Sequence, residues 1–115
     1  MKKIALPYLE DILQSINQID LYIGDIHGSK EVFNKSTQVQ DAVVRRLEII
    51  GEATKRLHED FKDEYNQIPW KLMSGLRDVL IHEYDQIDLE QIWEVIQKDL
   101  PILKKQLQEI VLKKD

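Results

Sequence analysis

Between residues 77 and 84 the chain reads Arg-Asp-Val-Leu-Ile-His-Glu-Tyr, a run that carries four different reactive side chains. Arg77 contributes a permanently charged guanidinium with a planar fork of donors. Histidine is the side-chain type that titrates nearest neutral pH, and His82 is the one in this run. Asp78, four residues before His82, offers a carboxylate able to orient an imidazole, and Tyr84 offers a phenol. Other chemistries are missing. The chain has no cysteine, so disulfides and thiolate nucleophiles are excluded. His27 and His58 stand alone, expected in a loop and on a helix surface, and no metal-ligand spacing surrounds them. No metal and no cofactor is expected. Neither a glycine-rich phosphate loop nor a Gly-x-Ser-x-Gly elbow is present.

If this run is helical, its geometry follows from roughly 100° per residue. With Arg77 at zero, Asp78 falls near 100°, His82 near 140° and Tyr84 near -20°, while Leu72, Leu76, Val79 and Leu80 lie between about 200° and 300°. The reactive groups thus oppose the apolar stripe, either as an ordinary solvated face or as a site. Arg77 and His82 do not aim at one point. A shared site requires long reach, distortion of the helix or a second chain.

Helical periodicity extends over nearly the whole sequence, and no useful length alternates as a strand does. Leu9, Ile12, Leu13, Ile16, Ile19, Ile23 and Ile26 predict a first helix over about residues 6–26, with Pro7 in its first turn. His27-Gly28-Ser29 breaks it, and a loop or short helix around Val32 and Phe33 follows. A second helix opens on a Thr37–Gln40 capping box and continues through Val39, Val43, Leu47, Ile50, Leu57 and Phe61. Gly51 interrupts it at about 1 kcal/mol relative to alanine, which suggests close approach by another backbone. Ile68-Pro69-Trp70 opens a third helix ending near Tyr84, and Asp88, with Gln91, caps a fourth. Its stripe, from Leu89 to Ile110, holds phase across Pro101, predicting one helix kinked at that proline. Trp70 and Trp93 flank apolar stripes and are expected in the core or an interface. The expected fold is all-α, an up-and-down bundle of four long helices in one domain, 1–115.

The 115 residues, 43% hydrophobic and 32% charged, have the balance of a globular protein, and no window is apolar enough to span a bilayer. The start lacks the pattern of a signal peptide, which, with the missing cysteines, points to a cytoplasmic location and no membrane. A net charge of -5 argues against broad attraction to nucleic acid, so any such site must be a local basic patch.

The Arg77, His82 and Tyr84 spacing resembles the signature of the HepT-like branch of the HEPN-domain toxins: arginine, four residues, histidine, one residue, tyrosine. The resemblance covers most of the chain in three ordered blocks, QDAVVRRLEIIGEATKRL (40–57), IPWKLMSGLRDVLIHEY (68–84) and IDLEQIWEVIQKDLPIL (87–103). It implies a metal-independent endoribonuclease toxin of a toxin–antitoxin pair, acting as a homodimer whose two motifs form a composite cleft. RNA would be cleaved by its own 2′-hydroxyl, with His82 transferring protons, Arg77 stabilising phosphoryl charge and Asp78 supporting His82. Tyr84 would accept AMP from a partner minimal nucleotidyltransferase, the antitoxin. Arg45, Arg46 and Lys71, close in sequence to the matched blocks, are the candidate RNA-binding cations. The competing reading is a non-catalytic helical dimer serving as an adaptor for the nucleotidyltransferase.

Overall fold

The computed structural model describes residues 2–113. Met1, Lys114 and Asp115, the ends of the expected 1–115 domain, lie outside the described residues. Four long helices dominate: α1 (Lys2–Asp25), α3 (Thr37–Arg56), α5 (Trp70–His82), and a continuous run of α6 (Leu89–Glu94), a π-helical turn (Val95–Asp99) and α7 (Leu100–Leu112). Two short helices, α2 (Lys30–Lys35) and α4 (Glu59–Glu64), join the first three. The expected all-α bundle of four long helices is the observed architecture, and no strand occurs among the described residues.

Each long helix contributes an apolar stripe at three- and four-residue spacing to one connected core. In α1 these are Ala5, Leu9, Ile12, Ile16, Ile19 and Ile23; in the last run, Ile92, Val95, Ile96, Leu100, Leu103, Leu107 and Ile110. Fully burying one such aliphatic side chain contributes about 1.5–3 kcal/mol, so the stripes dominate the stability. Helix α3 contacts both α1 and α5, and α7 packs against α1. Lys104 Nζ meets Asp20 Oδ2 at 3.2 Å, and Lys2 Nζ donates to the Lys113 carbonyl. These two contacts run in opposite sequence directions, which makes α1 and α7 antiparallel.

Several local expectations change. Helix α1 starts at Lys2, leaving Pro7 inside the helix rather than in the first turn. The cap of α3 is Ser36, whose Oγ accepts from the Val39 N–H at 3.2 Å. Gln40 instead donates to the Phe33 carbonyl, tying α3 to α2. The Thr37–Gln40 capping box is therefore not formed. Helix α3 stops at Arg56, and His58 caps α4 by accepting from Asp60 N–H through Nδ1. His58 is thus a cap rather than a mid-helix surface residue. The last helix is continuous across Pro101, as expected, but its irregularity lies one turn earlier: the Leu100 N–H bonds the Val95 carbonyl, five residues back. A wider turn ahead of the proline makes room for a ring that has no N–H to donate.

Gly51, buried in α3, is where another helix passes. A Cβ built there would lie 2.1 Å from Arg77 Cβ and 2.8 Å from the Met73 carbonyl oxygen, both on α5. The expected close approach is therefore present, and it brings α5 onto α3 beside Arg77. Replacing Gly51 by alanine gains about 1 kcal/mol of helix propensity, but overpacking costs about 1–3 kcal/mol. Because the conflict includes backbone, Gly51→Ala is expected to lose up to about 2 kcal/mol in urea unfolding at fixed protein concentration. An unchanged or higher midpoint would contradict this crossing.

Candidate active site

Helix α5 carries the Arg77–His82 pair, and both its ends are held. At its start the Trp70 indole donates to the Tyr65 carbonyl at 3.1 Å, and the ring packs against Phe61 with centroids 6.2 Å apart. At its end the Glu83 N–H bonds the Val79 carbonyl at 2.8 Å and the helix stops at His82. Asp88 caps α6 through bonds from the Glu90 and Gln91 N–H groups, which requires extended backbone just before it. The chain between the two helices turns through a 3-10 segment, Tyr84–Gln86. Tyr84 thus lies outside α5, and its expected place two turns along from Arg77 on the same helix face does not hold. Its side chain is instead open, 73% exposed.

The buried side of α5 is formed by Trp70, Met73, Leu76 and Leu80, while Leu72 and Val79 are about one-third exposed. Trp70 and Met73 rotate the core-facing sector toward Arg77. Arg77 consequently sits at the edge of the core with a side chain 20% exposed, not opposite it. Its stem crosses Gly51, and its Nε lies 2.5 Å from Glu52 Oε2 of α3. Both atoms of this ion pair are shielded from solvent, and they meet as charges rather than as an aligned hydrogen bond. A second guanidinium nitrogen, NH1, donates to Asp78 Oδ1 at 3.0 Å. The same oxygen receives Lys55 Nζ of α3 at 2.7 Å.

Two carboxylates and two cations therefore alternate across the α3–α5 contact. The hydrogen bond to Asp78 and the charge of Glu52 raise the Arg77 pKa against the effect of burial. The Lys55 ammonium first, and the Arg77 guanidinium second, hold the Asp78 carboxyl below its usual range. Sequence reasoning paired Asp78 with His82; the structure gives its carboxylate to Lys55 and Arg77. His82 is exposed in the last turn of α5, with no hydrogen bond or ion pair among the described residues. Arg45, Arg46 and Lys71 are not brought to the cluster. Arg45 faces Glu48 at 3.6 Å, Arg46 is half-buried elsewhere on α3, and Lys71 lines an open cleft with Trp70 and Ser74.

Glu52 and Lys55 were missed from sequence, although a signal existed. Gly51 marks where a neighbour must pass, and residues one and four positions later flank whatever passes there. No group of three or more potential metal ligands occurs among the described residues.

Because Asp78 has a depressed pKa when folded, its stabilisation is full above the unfolded value of about 3.9 and fades as pH falls through the lower folded value. The stability difference between the native chain and Asp78→Asn should be constant near neutrality and shrink below about pH 4. Chemical unfolding at a series of pH values measures it, and a difference that widened on acidification would contradict the ion pairs.

A family model for HepT-like ribonucleases matches residues 12–110. A protein of Caldanaerobacter subterraneus named "Putative RNase" is 45% identical over 112 residues, 96% of this chain and 97% of its own. "Probable ribonuclease HepT" of Thermococcus cleftensis is 41% identical over 104 residues, covering 90% and 93% of the two chains. A "Gamma-glutamylcyclotransferase and putative RNase" of Methanocaldococcus jannaschii is 45% identical over 111 residues, 96% of this chain but 49% of its own length. The chain thus spans about half of that relative and nearly all of the other two. No solved structure matches it. With the fold, the Arg77–His82 helix and a match over most of its length, the chain belongs to the HepT-like ribonuclease family.

Proposed function

We propose that the protein is a metal-independent endoribonuclease toxin of a toxin–antitoxin pair. The observation that carries this reading is a half-buried, anchored Arg77 on the same helix as an exposed His82 that has no partner among the described residues. In the proposed reaction the substrate's 2′-oxygen attacks the adjacent phosphorus after losing its proton to a base. The 5′-oxygen leaves with a proton from an acid, giving a cyclic phosphate and a 5′-hydroxyl. Arg77 stabilises the charge gathering on the phosphoryl oxygens. Asp78 supports the site by bonding Arg77, which is a different route from the one its spacing suggested.

One chain supplies one motif histidine, and Arg77 and His82 diverge by roughly 140° on a straight helix. A homodimer resolves both points, because a two-fold axis brings a second Arg77 and a second His82 to the same cleft. Support comes from the outer sector of α5, where Leu72 and Val79, 37% exposed each, flank His82 and the exposed Gly75. Arg45, Arg46 and Lys71 would then serve as outlying phosphate contacts.

Regulation is proposed to act at Tyr84, whose exposed phenol is accessible to a partner nucleotidyltransferase. The phenolic oxygen would attack the α-phosphorus of ATP and expel pyrophosphate, leaving AMP on Tyr84. The added phosphodiester charge would repel incoming RNA.

Incubation of the purified protein with total RNA in EDTA tests the catalytic assignment. The native chain should cleave, with a bell-shaped rate around neutral pH, and His82→Ala should lose at least about a hundredfold. Cleavage by both proteins, or by neither, would sink it and favour the adaptor. For Tyr84, the Tyr84→Phe chain should remain a nuclease yet escape inactivation by the partner enzyme and ATP. Mass spectrometry should then find AMP on the native chain alone; AMP on another residue defeats the proposal.

A further inference from the structure

Two carboxylates beside the arginine meant to meet a phosphate look counterproductive, because each weakens its attraction for an anion. The geometry gives them another purpose. A guanidinium has five N–H donors in a fixed plane. Asp78 takes one of the two on NH1, and the Glu52 carboxylate lies against Nε as a counter-charge without an aligned hydrogen bond. Both NH2 donors and one on NH1 are not engaged by Glu52 or Asp78. The long arginine side chain has many rotamers, and its contacts with Glu52, Asp78 and Gly51 restrict them before any substrate arrives.

We propose that Glu52 and Lys55 are positioning residues for the Arg77 guanidinium, Glu52 directly and Lys55 by holding Asp78. The Nε–Oε2 contact is shielded from solvent, so water does not compete with Glu52 for this side of the guanidinium. Lys55 binds the Asp78 oxygen that also receives Arg77, so the carboxylate is fixed from both sides. Gly51 completes the arrangement by letting the Arg77 stem lie directly on α3. This role rests on the ribonuclease reading, since the unengaged guanidinium donors are the ones that would meet the scissile phosphate.

A bystander charge and a positioning residue predict opposite kinetics. If Glu52 were merely a nearby anion, Glu52→Gln would relieve repulsion, lower KM and leave kcat unchanged. A positioning Glu52 predicts a kcat loss of about tenfold to a hundredfold with KM nearly constant, because misplacing a transition-state contact costs rate rather than binding. The loss should vanish in an Arg77→Ala background, where there is nothing left to position. Lys55→Met should show a smaller loss with the same dependence on Arg77. Lys30→Met removes a comparable ion pair to Glu90, 2.8 Å long and away from this cluster, and should keep the native rate.

A second measurement does not depend on activity. The Arg77 Nε–H proton, assigned by its loss in Arg77→Lys, should exchange slowly with solvent in the native chain and markedly faster in Glu52→Gln. Far-UV circular dichroism of each variant excludes unfolding as the cause. Native cleavage with an unchanged Glu52→Gln rate, or with an equal further loss in the Arg77→Ala background, overturns the positioning role alone. Unaltered Nε–H exchange overturns the clamp itself. Absence of cleavage by the native chain refutes the ribonuclease reading and the role in cleavage with it, while the exchange result still decides whether Glu52 holds Arg77.

Discussion

Where α3 passes α5, the separation of the two helices is set by the missing side chain of Gly51. The Met73 carbonyl and the Arg77 Cβ occupy the space that any larger residue would need. This contact brings Glu52 and Lys55 within reach of α5, because they sit one and four residues beyond Gly51 on a helix that cannot move away. A glycine costs helix propensity, and here that cost is offset by packing two backbones closely enough to build a charged cluster at the edge of the core.

Stability and orientation have different sources in this molecule. The stripes of α1, α3, α5 and the last helical run, joined in one core, account for the fold. Ion pairs with partly exposed partners are screened by solvent, so the Glu52, Lys55, Arg77 and Asp78 cluster is a weak stabiliser by comparison. Its consequence is geometric. It restricts a flexible cation whose neighbour on the same helix, His82, is left unrestrained.

The acidic total charge acquires a meaning in the same terms. With two cations balanced by two carboxylates, the cluster adds no net field, and the chain as a whole is at -5. In the proposed ribonuclease, long-range attraction would not dominate the encounter with RNA, and recognition would rest on a few local contacts.

Helix identity and core phase were legible in the sequence because they are local. Leu9, Ile12, Ile16 and Ile19 declare their face through spacing alone, Asp88 declares a helix start, and Gly51 declares a close neighbour. The Arg77, His82 and Tyr84 spacing likewise pointed to the family, which the comparisons show. The tertiary structure decided which neighbour Gly51 receives, that Asp78 faces Lys55 and Arg77 rather than His82, and that Arg77 lies at the core edge. It also ended α5 at His82 and left Tyr84 outside it. These outcomes depend on the rotation and separation of whole helices and on the path between them. Residue spacing within one helix carries no information about either, so they exist only once the helices have packed.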